Sequence, residues 1–104
     1  MSARPVDRLI QFLRDARNAP VEQLASFAHA ADTLPRVTPA ECSVAAAVIA
    51  TQARALVRQL VHVDRTALPA LRCALLMVSD VLAMEAQAAD ALRPAEDQPY
   101  YLKD

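Results

Sequence analysis

The side chains best suited to chemistry are few and far apart. The chain has two cysteines, Cys42 and Cys73, and two histidines, His29 and His62. A zinc site needs about four Cys, His or carboxylate ligands at close spacing, and a cysteine nucleophile needs a base and an orienting group. Neither pattern is present, although a helical hairpin would bring His62 within about a turn of Cys73. We therefore predict a protein that is not an enzyme, with no metal and no cofactor, and keep a cysteine-dependent enzyme or redox sensor as an alternative.

The composition favours helices. Glycine is absent from all 104 residues, and phosphate-binding loops and tight strand hairpins both depend on glycine. Hydrophobic residues make up 55% of the chain but aromatic residues only 4%, and much of the remainder is alanine, the strongest helix former. These features predict an all-α fold.

Proline residues divide the N-terminal third into two short amphipathic helices. After Pro5, apolar residues recur at helical spacing at Val6, Leu9, Ile10, Leu13 and Ala16. A second helix is predicted over roughly residues 20–33, with Pro20 in its first turn and an apolar stripe at Val21, Leu24, Phe27, Ala28, Ala31 and Leu34. Each helix is predicted to bury one face.

A long antiparallel helical hairpin is predicted to follow, giving four helices in all. Thr38 as N-cap, Pro39 in the first turn and Glu41 as a capping-box carboxylate predict a helix over 38–63. Its inward stripe is predicted at Cys42, Ala45, Ile49, Ala53, Leu56, Leu60 and Val63. The segment 64–66 predicts the turn, with Thr66 capping a second helix over 67–92. That helix is so apolar that it needs neighbours on at least two faces.

The hairpin sets a register in which residue 58 lies level with residue 73, 51 with 80 and 42 with 89. Cys42 and Cys73 are then separated by about 24 Å along the axis, far beyond disulfide reach, so we expect two buried, reduced thiols. The same register predicts a partly buried Asp80–Arg54 ion pair, with Ser79 hydrogen-bonded to the preceding turn. If this surface were a dimer seam, Asp80 would instead act across it as a specificity residue.

Charge is distributed unevenly along the predicted hairpin, although the net charge is only −1. Five cationic side chains lie toward the turn and are candidates for binding an acidic partner: Arg54, Arg58, His62, Arg65 and Arg72. The acids from Asp80 onward lie at the other end, which favours a homodimer of two copies packed in opposite directions. The alternative interpretation of the cationic residues is a solvated helix face.

Residues 1–93 are predicted to form a single helical domain and residues 94–104 an extended or flexible C-terminal tail. Tyr100, Tyr101 and Leu102 form an apolar cluster in this otherwise polar segment. Such clusters anchor extended segments in grooves, either on a partner or on the same chain. These three residues complete the set of partner-binding candidates.

These observations predict a non-catalytic helical protein–protein interaction module, such as a small adaptor, inhibitor or anti-activator of a bacterial regulator or enzyme. We expect a homodimer that packs as a helical bundle, with no nucleic-acid or membrane partner. No secretory signal or clean apolar span of about 20 residues is visible, which predicts a cytoplasmic location. A small-molecule-binding bundle is the second functional hypothesis.

Overall fold

The computed structural model describes residues 4–34, 36–62 and 64–92, and its fold is all-α, as the sequence predicts. It contains four α-helices: α1 (Pro5–Asn18), α2 (Leu24–Ala30), α3 (Val44–Arg58) and α4 (Leu68–Leu92). Short 3-10 turns flank α2 at Val21–Gln23 and Ala31–Thr33 and extend α3 over Gln59–Val61. No strand occurs in these three ranges.

Helix α1 is the most extensive neighbour of α4 and runs antiparallel to it. Arg4 at the start of α1 pairs with Asp90 near the end of α4, and Arg72 near the start of α4 donates to the carbonyl of Arg17. All five residues of the predicted α1 stripe are buried. The amphipathic spacing of α1 therefore predicted its buried face correctly.

Helices α3 and α4 form the predicted antiparallel hairpin. The Ser43 hydroxyl at the start of α3 donates to Glu85 Oε1 in the second half of α4 at 3.1 Å. Helices α1 and α3 both pack against α4 and run antiparallel to it. The hydrophobic core lies between these three helices. The short helix α2 covers α3 near the turn and meets α1 through Phe27, whose ring centroid is 5.3 Å from that of Phe12.

The buried face of α3 is rotated from the predicted one. Its buried residues are Ala46, Ala50, Ala53, Arg54 and Val57, followed by Leu60. Ala45 is exposed, and Cys42, Ile49 and Leu56 are only partly buried, whereas Ala53 and Leu60 are placed as predicted. The alanines allow α1 and α4 to approach α3 closely, and α2 then covers Arg54. The alanine-rich sequence fits several stripes, so its spacing could not select this one.

Helix α2 is shorter than predicted, and its stripe is interrupted. Leu24, Ala28 and Ala31 are buried, but Val21 lies in the 3-10 turn and is 53% exposed. Pro20 precedes this turn in an extended conformation rather than occupying the first turn of the helix. The tighter 3-10 geometry turns Val21 away from the core.

The caps of the two long helices also differ from the predicted ones. Ser43 caps α3 by accepting from the Ala46 N–H at 3.0 Å, while Thr38 caps only an isolated turn before it. Asp64, not Thr66, caps the turn into α4 by accepting from the Ala67 N–H at 2.9 Å. Both replacements are better N-cap residues than those predicted. Each helix therefore begins at a stronger capping side chain.

One segment, Val44–Val61, is long and apolar enough to cross a membrane by length and composition alone. Core helices meet the same criterion, and the buried residues of α3 pack within the main hydrophobic cluster. This segment is therefore weak support for a membrane span.

Candidate functional site

Helix α4 has an apolar face that no described part of the chain covers. Its buried residues all lie on one side, toward α1 and α3: Leu71, Leu75, Ser79, Leu82 and Ala86. On the opposite side Met77 is 63% exposed, Val81 40% and Met84 67%. We call the following residues the outer face: Ala70, Ala74, Met77, Val81, Met84, Ala88 and Ala91.

The outer face has a regular spacing. Residues 70, 77, 84 and 91 are seven positions apart, and residues 74, 81 and 88 form a second series four positions after the first. Apolar residues repeated in this way form the contact seam of a coiled coil. Helix α4 thus carries two apolar stripes, one that packs in its own bundle and one that is solvent-facing in the single chain.

Further apolar side chains are exposed at the open end of the hairpin, which we define as the end opposite the turn at residues 64–67. Val44 is 68% exposed, Val48 52% and Leu92 85%. An open groove in this region is lined by Cys42, Ser43, Ala88 and Leu92 among others. The apolar surface of the hairpin therefore extends from α4 to the start of α3.

The cysteines are not both buried, contrary to the prediction. Cys73 is exposed and Cys42 is partly buried, and both are free. Burial raises the pKa of the Cys42 thiol, partly offset by a hydrogen bond with Ser43. Cys73 lines a shallow groove with Arg17, Asn18 and other residues that do not include His62. The groove that Cys73 lines therefore does not bring it to His62, the base that the sequence placed within about a turn of it.

Two of the cationic candidates complete the ends of helices within the chain. Arg54 is only 6% exposed and donates to the carbonyls of Ala31 at 2.6 Å and Leu34 at 3.0 Å, where the α2 segment ends. Arg72 donates to the carbonyls of Arg17 at 2.5 Å and Ala19 at 2.9 Å, at the end of α1. Helix C-termini carry unpaired carbonyls and partial negative charge, which guanidinium groups neutralise. Burial is the main reason why the pKa of Arg54 lies below its ordinary value.

The other three cationic candidates lie on the surface. Arg58 donates through Nε to Asp32 Oδ1 at 3.0 Å, and this contact lowers the pKa of the Asp32 carboxyl. His62 and Arg65 are exposed close to the turn. The candidates Tyr100, Tyr101 and Leu102 lie outside the described residues, as does the whole of the predicted tail over 94–104.

The predicted Asp80–Arg54 pair is wrong. Asp80 is exposed, and its Oδ1 lies 3.5 Å from Arg14 Nη2 of α1. Helix α1 reaches Asp80 because it packs along the side of α4 that the hairpin alone left open. The accompanying prediction for Ser79 is confirmed, since its hydroxyl donates to the Leu76 carbonyl at 2.7 Å.

The two ends of the described bundle differ in charge. Around the turn, six arginines face three acids: Arg17, Arg36, Arg54, Arg58, Arg65 and Arg72 against Glu22, Asp32 and Asp64. At the open end, two arginines face four acids: Arg4 and Arg8 against Asp7, Glu41, Glu85 and Asp90. Among described residues, the turn end is therefore basic and the open end acidic, in agreement with the charge pattern of the sequence.

Across the three described ranges, no group of three or more His, Cys, Asp or Glu side chains is placed to hold a metal ion. Comparisons of the chain with protein-family models, with curated proteins and with solved structures found no match.

The outer face was not predicted from the sequence, although the residue spacing that defines it is present there. The seven-residue spacing of Ala70, Met77, Met84 and Ala91 is visible without coordinates. It was hidden because neighbouring residues of α4 are also apolar, so that the core stripe and the outer face merge into one hydrophobic segment. Only the positions of α1 and α3 separate them.

Proposed function

We propose that this protein is a non-catalytic protein–protein interaction module that binds through the outer face of α4. The observation that carries the proposal is a second apolar stripe, with Met77 and Met84 each more than 60% exposed, on a helix whose core stripe is already covered. Large exposed apolar surfaces on small domains mark sites of association. An adaptor, inhibitor or anti-activator acts by occupying a surface in this manner.

The chemistry of the outer face suits a protein partner. Methionine side chains are flexible and polarizable, and they adapt to irregular apolar surfaces. Alanines on either side of them let another helix approach closely. Asp80 beside Val81 borders the middle of this stripe, and Arg14 opposes its charge. The surface therefore favours a helix or a similarly ridged apolar surface.

The proposal is tested by photo-cross-linking in the native cell. A photoreactive amino acid replaces Met84 in the full chain, and a matched protein carries it at His29, an exposed position on α2. We expect a discrete protein adduct from position 84 and none from position 29. Adding Met77→Lys should abolish the adduct, because a charge would be desolvated in the apolar seam.

A stability measurement accompanies this test. Because Met77 is 63% exposed in the single chain, M77K should leave the circular dichroism spectrum of dilute protein unchanged. An absent adduct at position 84, or equal adducts at positions 84 and 29, would remove the proposal.

A further inference from the structure

We infer that the outer face takes a second copy of this chain, with the two α4 helices antiparallel and Val81 at the two-fold axis. The inference rests on the proposed function, since it names the occupant of the same surface. It is carried by two independent observations. These are the symmetry of the residue pattern along α4 and the opposite charges at the two ends of the bundle.

The order of residue types along the outer face is the same in both directions: two alanines, Met, Val, Met and two alanines. Its first series is Ala70, Met77, Met84 and Ala91, and its second series is Ala74, Val81 and Ala88. Two antiparallel copies centred on Val81 place Val81 opposite itself and Ala74 opposite Ala88 of the partner, with Met77 one position from level with Met84 of the partner. A two-fold interface must be self-complementary in this sense, because the same surface serves both copies.

Charge complementarity selects the antiparallel orientation. In this orientation the basic turn end of one copy lies beside the acidic open end of the other, at both ends of the pair. A parallel pair would instead bring the two basic turn ends together. Opposite charges at neighbouring ends stabilise the pair and like charges destabilise it. The charge distribution therefore favours the antiparallel orientation. Antiparallel α4 helices also align their dipoles favourably.

Asp80 brings a like charge close to the axis of this arrangement. It flanks Val81 and would approach Asp80 of the partner near the axis. Within each copy Arg14 Nη2 lies 3.5 Å from the Asp80 carboxylate, so the two carboxylates enter the interface already opposed by cations. The pair would therefore weaken if Arg14 were removed.

The oligomeric state of the purified full chain is the first test. We expect a dimer by sedimentation equilibrium, and Val81→Glu should raise the dissociation constant by roughly 100-fold because two carboxylates would meet at the axis. The matched control is Val21→Glu, at a valine of comparable exposure that lies outside the outer face. It should leave the dissociation constant unchanged. A monomeric wild type, or equal effects of both substitutions, would overturn the inference.

Disulfide trapping tests the orientation and register. The antiparallel pair places residue 88 of the partner opposite Ala74, one position from Cys73, whereas residues 73 and 88 of one helix are about 22 Å apart and cannot bond. In a Cys42→Ala background, chosen because Cys42 lines the same groove as Ala88, Ala88→Cys should give a covalent dimer on mild oxidation. The background protein, with Cys73 alone, should give none. A Cys73–Cys73 dimer in the background protein would indicate a parallel pair and contradict the proposal.

The two proposals fail in different ways. If purified protein is monomeric but position 84 still cross-links to another protein in the cell, the second copy is wrong and the interaction module stands. If the protein is monomeric and position 84 gives no adduct, both are wrong.

Discussion

Glu41 Oε2 accepts a hydrogen bond of 2.9 Å from the backbone N–H of Val6. The carboxylate thus caps helix α1 from a position 35 residues further along the chain. The sequence had assigned Glu41 to the capping box of its own helix. That helix starts later, at Ser43, and this leaves Glu41 in a loop beside the start of α1, where no local side chain caps the helix.

The first prediction concerns this long-range cap. Glu41→Ala should lower the free energy of unfolding by about 1 kcal/mol, because the Val6 N–H loses its acceptor and the helix N-terminus loses a nearby negative charge. Glu41→Gln should cost less, since its amide oxygen still accepts. Urea denaturation followed by circular dichroism measures both. Glu22→Ala, at an exposed acid on the 3-10 turn, should have almost no effect; a comparable loss there would contradict the capping role.

The second prediction concerns the buried guanidinium of Arg54. Arg54→Met should lower the free energy of unfolding by about 2–4 kcal/mol, because two carbonyls lose charge-assisted hydrogen bonds in a buried place. Arg54→Lys should recover only part of this, since one ammonium cannot reproduce the planar fork across Ala31 and Leu34. Amide hydrogen exchange should show the loss first in α2. Arg65→Met serves as the exposed control, and an equal loss there would refute the prediction.

The third prediction uses two adjacent alanines of α3. Ala46 is fully buried, whereas Ala45 is exposed. Ala46→Leu should therefore destabilise the fold by about 1–3 kcal/mol through overpacking, and Ala45→Leu should change it little. Thermal unfolding distinguishes the two. The opposite order would show that the stripe predicted from the sequence, rather than the one in the structure, faces the core.

The fourth prediction concerns acid. The hydroxyl of Thr66 and the N–H of Ala67 hold the pKa of the Asp64 carboxyl below its ordinary value. The folded state therefore binds fewer protons there than the unfolded state, and the stabilisation is present above the ordinary carboxyl pKa and lost as pH falls through the lowered one. Asp64→Asn keeps a capping oxygen but does not titrate, so its urea midpoint should fall less than that of wild type between about pH 5 and pH 2. Glu22→Gln should follow wild type, and a wild-type slope in D64N would rule out this role.

The fifth prediction concerns the partly buried thiol. Because burial raises the pKa of Cys42, less thiolate is present at neutral pH and alkylation should be slow in the folded protein. Iodoacetamide labelling followed by peptide mass spectrometry should show a rate at Cys42 that rises strongly on unfolding in urea. An equal rate in folded and unfolded protein would show that Cys42 is freely accessible.

The sequence predicted those features that depend on strong local signals. The buried stripe of α1 was correct in every residue because bulky aliphatic side chains alternate there with charged ones. The hairpin turn was correct because the segment 64–66 is the only break between two long helical runs. These signals are local, and tertiary contacts reinforce them.

The remainder depends on contacts between distant segments. The inward face of α3 was misplaced because alanine gives weak contrast between faces, and Arg54 was predicted to pair with Asp80 because nothing local indicates that its acceptors come from the α2 segment. Asp80 was paired with the wrong arginine because no local pattern indicates that α1 packs beside α4. The outer face could be recognised only after α1 and α3 had taken their sides of that helix.

The two ends of α1, which Glu41 and Arg72 complete, have a consequence for synthesis of the chain. A ribosome releases α1 first, yet the side chains that complete its two ends follow up to 55 residues later. Until α4 emerges, the aliphatic stripe of α1 lacks its most extensive neighbour, so a nascent chain stopped before residue 72 presents a partly uncovered apolar helix with an incomplete C-terminus, of the kind that chaperones hold. The packing of α1 is therefore completed only after the last helix of the bundle has been made.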